Sequence, residues 1–151
     1  MRRLLLLACL LAAPVVAVST GLAAYPDRAV HIFVAGVLVP EAVAASRALG
    51  EEGIFANVFV VTSPDRLYRG LKTSRPYLEA LVDPDEEDVP VVSVLDGHPH
   101  TLAFIGSALG VTQLPLGVDD FGQSGTRADL YRHYGIDAIA IARAAHTLVG
   151  R

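Results

Sequence analysis

Short, almost wholly apolar runs recur along the chain from residue 29 onward, separated by stretches whose apolar residues return every three or four positions. AVHIFVAG (29–36) is rich in β-branched residues and closes on glycine, which predicts a buried strand in which His31 is a core or edge residue. VPEAVAASRALGEEG (39–53) follows. Pro40 and Glu41 stand where the first turn of a helix accepts a proline and favours negative charge, and Gly50 or Gly53 is placed to end it. IFANVFVVT (54–62) predicts a second strand. Ser63-Pro64-Asp65 then signals a helix start leading into RLYRGLKTSRPYLEALV (66–82), which Pro76 should break or restart. DPDEED (83–88), five carboxylates in six residues, predicts a solvated acidic loop. VPVVSVLD (89–96) is a third strand, TLAFIGSAL (101–109) a short helix and VTQLPLGV (111–118) a fourth strand. Residues 126–134 and 137–149 read as two closing helices.

Strands that alternate with helices, each short and apolar on both faces, require cover on both sides. The predicted fold is therefore an α/β three-layer αβα sandwich around a mostly parallel sheet of four to five strands. The 151 residues suffice for one core, placed here in residues 27–151. No internal repeat or low-complexity tract is present in that span.

Residues 1–25, MRRLLLLACLLAAPVVAVSTGLAAY, stand apart. Arg2 and Arg3 precede an apolar run of 15 residues, Leu4 to Val18, and small residues follow around Ser19 and Ala23. That is the pattern of a signal peptide. The run contains Pro14 and falls short of the about 20 residues of a spanning helix. Export is one expectation; the other is an upstream segment or misplaced start with no targeting role.

Composition narrows the chemistry. Lys and Arg number 12 against 16 Asp and Glu, a net charge of -4, so no basic field is available for nucleic acid. The single cysteine, Cys9, lies in the first apolar run, which leaves residues 27–151 without a thiol for disulfide, thiolate or metal chemistry. No serine sits in a Gly-x-Ser-x-Gly elbow, and the glycines at 117, 122 and 125 form neither a phosphate loop nor a dinucleotide fingerprint.

Two polar clusters remain. In LGVDDFGQSGTRADL, Gly122 and Gly125 permit positive φ, and Thr126 with Asp129 resembles a capping box. Asp119, Gly122, Ser124 and Arg127 are candidates either for fixing a structural turn or for holding an anion at the helix start. Consecutive Asp119 and Asp120 read as a turn cap plus a solvent-facing charge. In DGHPHT, Asp96, His98 and His100 form a weaker polar site at a strand end; metal sites normally take three or four ligands, so a hydrogen-bonding role is expected and no metal is assigned. His133 and His146 fall on predicted helices and read as solvent-facing or capping residues.

At LPLGVDDFGQSGTRADLYRHYGID (114–137) the chain resembles the C-terminal domain of the transketolase superfamily, and within it the homodimeric pyruvate dehydrogenase decarboxylating component. Gly117, Asp119, Phe121-Gly122, Ser124, Arg127, Leu130 and Gly135-Ile136-Asp137 carry the resemblance, with Asp-x-Phe-Gly-x-Ser-x-x-Arg as its most specific motif. VAGVLVPEAVAAS, FANVFVVTSPDRLYRG and VPVVSVLDGHPHTLAFIGSALG follow the same domain in the same order, so the likeness covers about residues 27–149.

The resemblance implies a part in thiamine diphosphate-dependent oxidative decarboxylation of a 2-oxo acid, an oxidoreductase chemistry, or in a transketolase-like reaction. In that family thiamine diphosphate and Mg2+ lie between a diphosphate-binding and a pyrimidine-binding domain. No Gly-Asp-Gly with its later asparagines occurs here. The implied partners are those two missing domains, with a homodimer as the implied assembly. This chain would support assembly and active-site access, supply no catalytic residue, be inert alone and work in the cytoplasm, with Asp119 and Arg127 fixing the loop. Without the resemblance, the strand ends around residues 96–100 and 117–127 describe an exported small anion-binding module. A third expectation is an apolar face that drives self-association.

Overall fold

The structure is a computed structural model that describes residues 26, 28–73, 78, 80–83, 86 and 88–150. Its elements run β1 (Ala29–Val34), a 3-10 turn (Gly36–Leu38), α1 (Val39–Glu51), β2 (Phe55–Val60), α2 (Pro64–Gly70), β3 (Val91–Val94), a second 3-10 turn (Pro99–Thr101), α3 (Phe104–Leu109), β4 (Gln113–Leu116), α4 (Arg127–Tyr134) and α5 (Ala138–Val149). The four strands pair in the order β2-β1-β3-β4, every pair parallel. The expected three-layer α/β fold is what forms.

Successive residues of a strand face opposite sides of the sheet, and here both sides are apolar. Val30, Ile32 and Val34 of β1, with Val92 and Val94 of β3, pack beneath α1 and α5 against Leu38, Ala45, Leu49, Ile141, Ala145 and Leu148. Phe33 and Ala35, with Val91 and Leu95, face the other way against Leu67, Leu78, Val82, Leu102 and Ile105. Ala42, Ala45 and Leu49 of α1 recur at helical spacing and are fully buried. The short side chains of Ala42 and Ala45 let α1 and α5 lie close to each other and to the sheet.

Local details depart from expectation where a tertiary partner intervenes. Helix α1 runs through Gly50 to Glu51. Glu41 does stand in its first turn, but its Oε2 accepts a hydrogen bond from the Ala138 backbone N–H at 3.0 Å, so it serves the start of α5. Helix α2 starts at Pro64 without a side-chain cap from Ser63 and ends at Gly70. The expected break at Pro76 lies outside the described residues, while Leu78 and Val82 reach the core. The short helix at 101–109 is a 3-10 turn followed by the six-residue α3.

Gln113 fastens α3 to the sheet. Its Nε2 donates to Ser93 Oγ at 2.6 Å and to the Leu102 carbonyl at 2.9 Å, and its Oε1 accepts from Gly106 N–H at 2.6 Å. Gly106 is required there, because a Cβ would stand 2.6 Å from Gln113 Cβ. Ser93 is fully buried in β3, so the amide satisfies a hydroxyl that water does not reach. Gln113→Ala should lower the unfolding free energy by about 2–4 kcal/mol, since three partners lose their bond at once. A urea melt reads this as a lower midpoint at unchanged slope; a loss under about 0.5 kcal/mol would show that the amide is dispensable.

Candidate functional site

The chain moves from β1 outward to β2, then returns across β1 to β3 on its other side. The carboxyl ends of β1 and β3 are therefore the switch point at which open α/β sheets form their ligand crevices. Loops from three strands meet there. Val118 N–H donates to the Gly97 carbonyl at 2.9 Å, and a Cβ on Gly117 would lie 2.5 Å from that same oxygen and 2.8 Å from Pro99 N. Only glycine lets the β4 loop close against the β3 loop.

The weaker polar cluster does not converge. His98 Nδ1 accepts from His100 N–H at 3.3 Å, and the two rings meet edge to face at 4.6 Å. His98 is thus used inside its own turn, and Asp96 is exposed beside Gly36. Among the described residues no group of three or more His, Cys, Asp or Glu stands close enough to hold a metal ion.

The other cluster forms an outward loop leading into α4. Residues 119–129 are all exposed, and Phe121 is 94% exposed. Asp120 Oδ1 accepts from Phe121 N–H at 2.8 Å, and Gly122 adopts a φ of 101°. Thr126 caps α4: its Oγ1 accepts from Asp129 N–H at 3.3 Å and donates to Asp129 Oδ2 at 2.6 Å. Aspartate, one methylene shorter than the usual glutamate, bonds the cap hydroxyl where a glutamate would reach the cap backbone. The Thr126 hydroxyl, aided by Arg132 at 3.2 Å, holds the Asp129 carboxyl below its ordinary range. The side chains of Asp119, Ser124 and Arg127 make no hydrogen bond or ion pair among the described residues.

A third polar cluster gave no local sequence signal. His31 lies fully buried in β1, a central strand, with Phe59 edge-on at 5.0 Å. Its Nε2 stands 3.6 Å from Glu86 Oε2. Asn57 Nδ2 donates to both oxygens of the same carboxylate at 3.3 and 3.4 Å. Asn57, Phe59, Asp83 and Glu86 border a cleft of about 450 Å³. Glu86, with a side chain 18% exposed, corrects the expectation that the acidic segment is purely solvated: a buried imidazole and an amide draw one of its carboxylates onto the sheet. Residues 31, 57 and 86 are too far apart in sequence for spacing to reveal this; His31 in an apolar run and Asn57 in another were the only hints.

With this geometry in place, the chain can be set beside known proteins. The profile of the family described as "Transketolase-like TK C-terminal domain" matches residues 15–137. The chain belongs to that family. No curated protein sequence matches it closely. Among solved structures, a split-gene transketolase in an inactive beta4 tetramer is similar at 20% identity and a TM-score of 0.55, over 83% of this chain and 43% of that one. Transketolase from Campylobacter jejuni subsp. jejuni NCTC 11168 is similar at 17% identity and a TM-score of 0.60, over 84% of this chain and 17% of that one. A Pichia stipitis transketolase mutant is similar at 23% identity and a TM-score of 0.56, over 83% and 17%. This transketolase-like domain therefore spans less than half the length of the structures it resembles.

Burial lowers the His31 pKa below its ordinary value, with Glu86 opposing the shift in part. A folded-state pKa below the unfolded one means that the unfolded chain binds more protons in between. His31 should thus contribute its full stability above about pH 6.5, its unfolded value, and lose it progressively as pH falls toward the folded value. Thermal melts between pH 8 and pH 5 should show this fall, and His31→Gln should flatten it; an equal slope in the variant would assign the acid sensitivity elsewhere.

Proposed function

We propose that this chain supplies the C-terminal domain of a thiamine diphosphate-dependent enzyme, supporting assembly and access to an active site whose cofactor is held by other domains. The observation that carries the reading is the family match itself, which covers residues 15–137. A split-gene transketolase in an inactive beta4 tetramer is among the structures similar to it, which supports reading this chain as one part of a larger assembly.

In this reading the cofactor and its metal are held by the other domains. A divalent metal takes several oxygen ligands, and the described residues offer no group of three or more carboxylates, imidazoles or thiolates. What the domain does offer is a fixed strand-end face. The loop contact at Gly117 and the capped start of α4 hold residues 117–126 at its edge, with Phe121 presented outward. In this reading Phe121 and its neighbours meet a companion domain, and Asp119 and Arg127 hold the loop against it.

Between the two chemistries, we favour 2-oxo acid decarboxylation of the pyruvate dehydrogenase type, on the Asp-x-Phe-Gly-x-Ser-x-x-Arg motif at 119–127. Mixing the chain with a companion carrying the diphosphate- and pyrimidine-binding domains should produce pyruvate-dependent reduction of an artificial electron acceptor, while either chain alone does nothing. Phe121→Ala should weaken the association about tenfold or more, as for a buried aromatic anchor. Ketol transfer without pyruvate turnover would replace the pyruvate assignment with a transketolase one, and turnover by the isolated chain would end the whole reading.

The same reading places the working assembly in the cytoplasm. The rival expectation is export, with cleavage at a signal site near Ser19 or Ala23. In a cytoplasmic protein the intact mass should include residues 15–23; a mature terminus after Ser19 or Ala23 would establish export.

A further inference from the structure

We propose that the hollow between α1 and α5 is a docking groove for this chain's own N-terminal apolar run, Leu4–Ala13. Residues 1–25 lie outside the described residues, and the proposal rests on the cytoplasmic reading, in which they stay on the protein. The two helices run side by side in the same direction. Glu41 meets Ala138 at their starts, and Glu52 Oε2 lies 3.1 Å from His146 Nε2 at their ends. Between them is a hollow of about 410 Å³, lined on one side by Ala45 and Ala48 and on the other by Ala138 and Ala142. Ile139 stands at its rim, 69% exposed. Apolar surface is thus left in water on this face, and covering it with other apolar side chains is favourable.

The sequence holds an occupant of that chemistry. LLLLACLLAA (4–13) has six leucines and no charged residue, and a chain that keeps such a run has to bury it. Leucines laid onto alanine positions alternate large with small, the arrangement by which facing layers interdigitate. Tethering removes the need for a large interface, since a linked segment meets its groove at a high effective concentration.

Reach and charge agree on one direction. The Arg28 carbonyl accepts from Phe55 N–H at 2.9 Å, just past the turn that ends α1. The chain therefore enters the sheet beside the Glu52–His146 end of the hollow. Ten residues in helical form span about 15 Å, against about 12 Å from Ala138 to His146, and the residues from Pro14 to Asp27 are ample to link the run to β1. With residue 13 toward His146, Arg2 and Arg3 come to the end that carries the Glu41 carboxylate. The opposite direction would bring them to Arg143 and His146, two basic side chains that line the other end.

Cys9, the only cysteine of the chain, falls at the middle of the run and serves as the probe. The intact mass first establishes that residues 1–25 are present. In the folded full chain a water-soluble disulfide reagent should label Cys9 at least about tenfold more slowly than in the urea-unfolded chain. Ile139→Glu changes an exposed side chain and should restore most of that rate with the circular dichroism unchanged. Ala48→Cys and Ile139→Cys stand on opposite walls, either side of the hollow's middle, and on mild oxidation at least one should close an intramolecular disulfide with Cys9. Arg69→Cys, exposed on α2 across the sheet, should stay reduced. Fast labelling in the folded chain, labelling indifferent to Ile139→Glu, or thiols that stay reduced at both walls would overturn the proposal and leave the cytoplasmic reading standing. A disulfide formed only between two chains would give the hollow to another molecule and overturn it as well. A mature terminus after Ser19 or Ala23 would end both.

Discussion

Everything in this domain depends on covering β1 from both sides. The strand is flanked in the sheet by β2 and β3, its even-numbered residues pack under α1 and α5, and its odd-numbered residues face α2 and α3. Val30, Ile32, Phe33 and Val34 are all fully buried. At about 1.5–3 kcal/mol for each large apolar side chain removed from water, leaving one face bare would forfeit several kcal/mol, comparable with the whole net stability of a small domain. Parallel pairing adds a second demand, since each strand must be reached by a crossover long enough to hold a helix. The two requirements have one solution: helices divided between the faces, with the crossover direction reversing at β1.

That reversal explains why the polar residues of interest collect where they do. Loops leaving β1, β3 and β4 emerge on one edge of the sheet, and the contact between Gly117 and the Gly97 carbonyl joins two of them. Residues 119–129 then project from a base that is bonded to the loop of β3. Buried polar contacts reinforce the arrangement. Gln113 joins β3, β4 and α3, and Glu41 joins α1 to α5. Each satisfies backbone groups that short or buried helix ends would otherwise leave open.

The legible and the illegible parts of the fold divide along sequence separation. Strands and helices were readable because their signals repeat within a few residues: the β-branched runs at 29–34 and 91–94, Pro40 in a first turn, Thr126 three residues before Asp129. The strand-end loop was readable for the same reason, since its glycines and cap are contiguous. What could not be read were contacts across long separations. Glu41 reads locally as a first-turn acid, yet its partner is Ala138. Gln113 reads as a polar residue in a strand and becomes the clamp on α3. Glu86 reads as one of five solvated acids until His31 and Asn57, on two different strands, are brought beneath it. A one-dimensional pattern records the type of each residue and not the partner chosen for it by topology.

The internal use of helix starts also bears on the two functional descriptions of residues 119–127. A helix start attracts anions because its first amides are unpaired and its dipole end is positive. At α4 the Asp129 amide is already bonded to Thr126, and the Asp129 carboxylate, kept ionised by that hydroxyl and by Arg132, puts a negative charge in the first turn. An incoming anion would meet the repulsion of that carboxylate. At α5 the start is occupied twice over, by Asp137 and Glu41. The domain consumes its own positive helix ends to fix its shape. It leaves outward the ring of Phe121 and Arg127, which has no ion-pair partner among the described residues, groups suited to meeting another protein surface more than to enclosing a small ion.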